Sequence, residues 1–114
     1  MHELGIVFQV IKTIEEGAEE QELKKVSSVT LEVGEVSTVI VDYLTDCWDW
    51  ACKKSDLMRG SELRHEIIKG VTYCEDCGKT YETVKYAKIC PYCKSENTYL
   101  IQGNEVQIKE IEAQ

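Results

Sequence analysis

The chain of 114 residues holds one proline and two histidines, and its basic residues are the minority, 13 Lys plus Arg against 21 Asp plus Glu. The formal charge of −8 runs against a nucleic-acid binder, whose affinity comes largely from cationic contacts to phosphate. It disfavours an anionic membrane surface for the same reason. No apolar run approaches the ~18 residues that read as a bilayer span. The opening Met1-His2-Glu3 has neither the basic n-region nor the apolar h-region of a secretory signal, which predicts a cytoplasmic protein. No Gly-rich phosphate loop, Ser-His-Asp or Cys-His set, or carboxylate pair beside an oxyanion site is present. The chain therefore does not read as an enzyme. Disorder is excluded in turn, because 43% of the residues are hydrophobic and can fill a core.

The residues that are present organise the chain. Leu4, Val7, Phe8, Ile11, Ile14 and Ala18 recur in steps of three and four, the stripe of an amphipathic helix. From Val26 to Val33, Val29, Leu31 and Val33 alternate with Ser28, Thr30 and Glu32, which predicts a half-buried strand closed by Gly34. Ser37 or Thr38 is placed to cap a second helix running to about Lys54, with Ile40, Tyr43, Leu44, Cys47, Trp48 and Ala51 on its apolar face. Leu63, His65 and Ile67 alternate with charged residues in a second strand, and a last strand runs from Val106 to about Glu112. The expected fold is α+β: two helices on a three-stranded sheet, with a zinc-ribbon-like module inserted before the last strand. The boundaries that follow are a discontinuous α+β domain over 1–70 plus 102–114 and a metal module over 71–101.

The chain has six cysteines, and a cytosolic setting keeps thiols reduced. Cys74-Glu-Asp-Cys77 and Cys90-Pro-Tyr-Cys93 form two C-x2-C pairs. Each pair turns two sulfurs toward one point, and two facing pairs make a tetrahedron. Soft sulfur in that geometry selects Zn2+, with a lone iron as its rival. A closed four-thiolate site has no open position for substrate, so its expected role is structural. Some 30 residues build little hydrophobic core, and the metal replaces it.

Outside these pairs few residues suggest chemistry. Cys47 and Cys52 are about 140° apart around a helix and read as small core residues. His65 reads as a satisfied structural histidine. Asp42, Asp46 and Asp49 read as a solvated helical stripe. Trp48 is expected in the core and Trp50 at the surface. His2 lies one residue from the α-amine of Met1, and methionine is retained ahead of a large residue. The amine, an amide and the imidazole can close rings around one metal, and nitrogen donors of this kind suit Ni2+ or Cu2+.

Together, Met1-His2-Glu3-Leu4, Gly34-Glu35, the two cysteine pairs and Gln102-Gly103-Asn104-Glu105 resemble the HypA/HybF family over the whole chain. That family consists of nickel metallochaperones for maturation of [NiFe]-hydrogenase. The resemblance implies that His2 binds nickel with the Met1 α-amine, that Glu3 either adds a donor or orders the site, and that Cys74, Cys77, Cys90 and Cys93 hold structural zinc. It implies a GTPase maturation factor, HypB, and the hydrogenase large subunit as partners. Asp42 is the nearest acidic residue after Gly34-Glu35. A second reading, a zinc-ribbon adaptor for a protein or nucleic acid with no second metal, accounts for the cysteines but gives Met1-His2-Glu3 no role.

Overall fold

Helix α1 occupies Glu3–Gln21 in the computed structural model, which describes residues 3–114. Met1 and His2 lie outside the described residues. Val7, Ile11, Ile14 and Ala18 are buried along one face of α1, as the spacing predicts, and Val10 joins them, whereas Leu4 is partly buried and Phe8 exposed. The helix ends by backbone geometry. Glu22 adopts φ 55°, and the N–H of Leu23 then reaches the carbonyl of Ala18 at 2.9 Å, satisfying a terminal acceptor.

Strand β1, Val26–Gly34, is central in a three-stranded sheet of order β2-β1-β6, where β2 is Glu62–Ile68 and β6 is Val106–Ala113. Val26, Val29 and Leu31 are fully buried. Ser28 and Thr30 are buried too, so the strand is covered on both faces and not on one. Arg64 of β2 reaches Glu112 of β6 at 2.7 Å, and Lys109 of β6 pairs with Glu66 of β2. These pairs link the two edge strands that flank β1. His65 is exposed on the edge strand β2. The reading of His65 as a satisfied structural histidine on an apolar face is corrected: both faces of this edge strand are largely open to solvent.

Helix α2 spans Val41–Cys52 and buries Leu44, Cys47, Trp48, Ala51 and Cys52. Its apolar stripe is narrower than the sequence suggested, because Ile40 and Tyr43 are exposed. Trp48 is fully buried and Trp50 half exposed; the indole N–H of Trp48 donates to the Ser61 carbonyl at 3.1 Å. Neither Ser37 nor Thr38, the expected caps, is the N-cap residue. Thr38 has φ 67°, outside the extended region an N-cap adopts, and the N-cap is Ile40, which has no capping side chain of its own.

The cysteine segment builds a second sheet, of order β4-β3-β5, which the sequence reading left as an undivided module. Its strands are β3 (Val71–Cys74), β4 (Thr80–Glu82) and β5 (Thr98–Gln102), with a short helix α3 at Thr83–Tyr86. Both pairings are antiparallel, with Tyr73 opposite Thr80 on one side and Tyr99 on the other. The chain divides into two compact units, one of residues up to Leu31, Val39–Glu66 and Gln107–Gln114, the other of Glu32–Thr38 and Ile67–Val106. Within the second unit, the Gly34 N–H donates to the Glu105 carbonyl at 2.7 Å and the Val36 N–H to the Gly103 carbonyl at 2.9 Å. The Gly34-Glu35 and Gly103-Asn104-Glu105 signatures are thus one junction.

Candidate metal centre

The two C-x2-C turns are built alike. In the first, the Cys74 N–H donates to the Lys79 carbonyl at 2.9 Å and the Gly78 N–H to the Cys74 carbonyl at 2.9 Å. In the second, the Cys90 N–H donates to Ser95 at 3.0 Å and the Lys94 N–H to Cys90 at 2.9 Å. The fifth residue of each turn is left-handed, Gly78 at φ 72° and Lys94 at φ 64°. Glycine fits that conformation freely, whereas lysine is strained there.

The four sulfurs of Cys74, Cys77, Cys90 and Cys93 lie within 4.8 Å of one another, and each short contact joins one turn to the other. Cys74 Sγ is 3.6 Å from Cys93 Sγ, and Cys77 Sγ is 3.6 Å from Cys90 Sγ. A tetrahedral ion with sulfur ligands at ~2.3 Å has sulfurs ~3.8 Å apart along each edge. The cluster therefore has the dimensions and donor set for one soft tetrahedral metal.

The electrostatics favour a cation there. Burial pushes the Cys90 thiol up, but the backbone N–H groups of Cys93 and Tyr92 outweigh it and hold Cys90 down at about 7. For Cys93, the Ser95 N–H acts to lower the value, yet burial and the neighbouring thiols carry it up to about 12. For Cys77, the Lys79 N–H also acts downward and is overcome by burial and the thiols of Cys90 and Cys74. One thiolate is thus readily formed near neutrality, whereas burial and the neighbouring thiols make Cys77 and Cys93 resist. A divalent cation reverses that balance and draws all the sulfurs into the thiolate form.

Residues that the sequence reading passed over fasten the turns together. Asp76, inside the first pair, accepts hydrogen bonds from the Ser95 hydroxyl and from the Asn97 amide at 3.3 Å, both just beyond the second pair. These bonds, Ser95 first, hold its carboxyl below the usual carboxylate range. The Glu75 N–H adds a bond to the Asn97 carbonyl at 3.0 Å. An acid inside one C-x2-C with Ser and Asn just after the other was the only signal, and it is a weak one. Tyr81 is buried and its hydroxyl donates to the Ala87 carbonyl at 2.8 Å, closing the loop that leads to Cys90.

The nickel ligands expected at the N-terminus divide across the described boundary. Met1 and His2 lie outside the described residues. Glu3 lies within them and is 7% exposed; its Oε2 accepts the Ile40 N–H at 2.9 Å. Asp42, Asp46 and Asp49 are exposed, as a solvated stripe should be. Cys47 and Cys52 are buried in α2, apart from the sulfur cluster, and burial followed by the Asp49 charge raises Cys52 to about 11.

An α+β domain joined to a four-sulfur centre of these dimensions defines a metal-binding protein of zinc-ribbon type. The family model "HypA: Hydrogenase/urease nickel incorporation, metallochaperone" matches residues 1–113, and the chain belongs to that family. It is 32% identical over 114 residues to the hydrogenase maturation factor HybF of Klebsiella pneumoniae, with all of both chains covered. It is 35% identical over 112 residues to the hydrogenase maturation factor HypA of Dehalococcoides mccartyi, covering 98% of this chain and 93% of that one. The fold is similar to the solution structure of the Ni metallochaperone HypA from Helicobacter pylori, with a TM-score of 0.78 at 24% identity over 99% of this chain and 97% of that one.

Proposed function

We propose that this protein is a nickel metallochaperone for [NiFe]-hydrogenase maturation that takes up Ni2+ at its N-terminus. The observation that carries the reading is the reach of the family match, residues 1–113, which takes in Met1-His2-Glu3 as well as the sulfur cluster. His2 supplies the imidazole, Met1 its α-amine, and the intervening amide can complete a chelate of nitrogen donors suited to Ni2+. Ni2+ is cargo, held by few donors at a chain terminus and therefore released without unfolding the domain.

In this reading Cys74, Cys77, Cys90 and Cys93 hold Zn2+ as a structural ion. Their spacing and sulfur-only donor set support zinc, which closes its shell with four such ligands. The domain assignment, 1–70 plus 102–114 for nickel and 71–101 for zinc, gives each metal its own part of the chain. The protein carries no catalysis of its own and works in the cytoplasm. A GTPase maturation factor, HypB, supplies nucleotide hydrolysis, and the hydrogenase large subunit receives the metal.

Transfer is measured by loading the protein with radioactive nickel and mixing it with nickel-free hydrogenase large subunit, the GTPase and GTP. Nickel should appear in the large subunit from wild type and not from His2→Ala. Equal transfer from both proteins would reject the N-terminal site as the donor.

A further inference from the structure

The side chain of Glu3 belongs to the first turn of α1, yet it accepts a hydrogen bond from the backbone at the start of α2. Its Oε2 lies 2.9 Å from the Ile40 nitrogen, and Ile40 is the N-cap residue of α2. Thr38, at φ 67°, reverses the chain just ahead of this point. The Ile40 side chain is 63% exposed, so packing does not hold it in place. Its backbone is held at both ends, the carbonyl by the Leu44 N–H at 2.9 Å and the N–H by Glu3. A carboxylate buried to 7% exposure needs such a donor, because an unpaired buried charge is costly. A helix N-terminus also favours the negative charge.

We propose that Glu3 is a positioning residue for nickel uptake, acting through Ile40, and not a nickel ligand. The inference rests on the reading that His2 and the Met1 amine hold nickel. His2 is joined to Glu3 by one peptide bond. A chelate of amine, amide and imidazole needs those atoms arranged around one point, and fixing them there costs entropy. Pinning residue 3 to the start of α2 removes part of that cost before the metal arrives. One carboxylate oxygen of Glu3 is engaged in that bond.

Titration of Ni2+ into three zinc-loaded variants beside wild type tests this. Glu3→Gln keeps an acceptor oxygen at the same reach and removes the anionic donor; its affinity should stay within about threefold of wild type, since a neutral hydrogen bond replaces a charged one. Glu3→Ala removes the acceptor and should weaken nickel binding about tenfold. Ile40→Pro removes the N–H and leaves Glu3 intact, at a φ of −94° that proline approaches. It too should weaken nickel about tenfold, although Ile40 is no ligand. Zinc content and far-UV circular dichroism, unchanged in all three, separate positioning from unfolding. If Glu3→Gln loses as much affinity as Glu3→Ala while Ile40→Pro binds like wild type, Glu3 is a ligand and the proposal is overturned. Wild-type affinity in Glu3→Ala overturns it also. Wild type that takes up no nickel rejects the N-terminal nickel reading, and this inference with it.

Discussion

Gly34 faces the carbonyl of Gly103 so closely that a methyl group on Gly34 would lie 2.1 Å from that oxygen. Gly103 is itself at φ 108°, and a methyl group there would lie 2.4 Å from the Cα of Gly70. The atoms in the way are backbone and cannot rotate aside. Gly34→Ala should therefore destabilise the protein by about 3 kcal/mol or more, at the upper end for overpacking. Urea denaturation of the zinc-loaded protein checks this. A midpoint equal to wild type would mean that the junction is looser than these distances imply.

Cys74→Ala and Cys93→Ala should each abolish stoichiometric zinc binding and unfold the cysteine module. Metal binding at such a site is folding energy, on the order of 10 kcal/mol. Most of the far-UV helical signal should survive, since α1 and α2 bury their own core of Val7, Ile11, Ile14, Leu44 and Trp48. Zinc analysis with circular dichroism checks both points, and one equivalent of zinc in either variant would contradict the four-sulfur assignment.

Cys52 predicts an alkaline limit to stability. Its folded value of about 11 lies above the ordinary 9.0, owing to burial and then to Asp49. The folded state therefore holds the proton where the unfolded state has released it. The stabilisation is fully present below pH 9 and fades as pH rises toward 11. Cys52→Ala should flatten that alkaline decline while lowering stability at neutral pH through lost packing. Native Cys52 should also resist alkylation at pH 8 and react once the chain is unfolded, which mass spectrometry can follow.

What the sequence made legible was whatever depends on local pattern. The α1 stripe, the alternation in β1 and the two C-x2-C turns all repeat with a short period, and each led to the right element. What it hid depends on contacts across the chain. The start of α2 was misplaced because its backbone N–H is taken up by Glu3, distant in sequence, while Thr38 spoils the nearer cap. His65 looked inward by alternation alone; only the order β2-β1-β6 shows that β2 is an edge. Ser28 and Thr30 look solvated by alternation, yet both are buried in the middle strand of the sheet. The Asp76, Ser95 and Asn97 ties between the cysteine turns involve common loop residues whose pairing no spacing rule supplies.

Nickel binding by three forms of the zinc-loaded protein tests the N-terminal site most directly: wild type, His2→Ala, and a form with residues added before Met1. Isothermal titration with Ni2+ should show one tight site in wild type and its loss in both altered forms, because an amide is a far poorer donor than the free amine. Acid should release nickel from wild type, because protons compete with the metal for the amine and the imidazole. Equal affinity in wild type and His2→Ala would contradict the N-terminal nickel site.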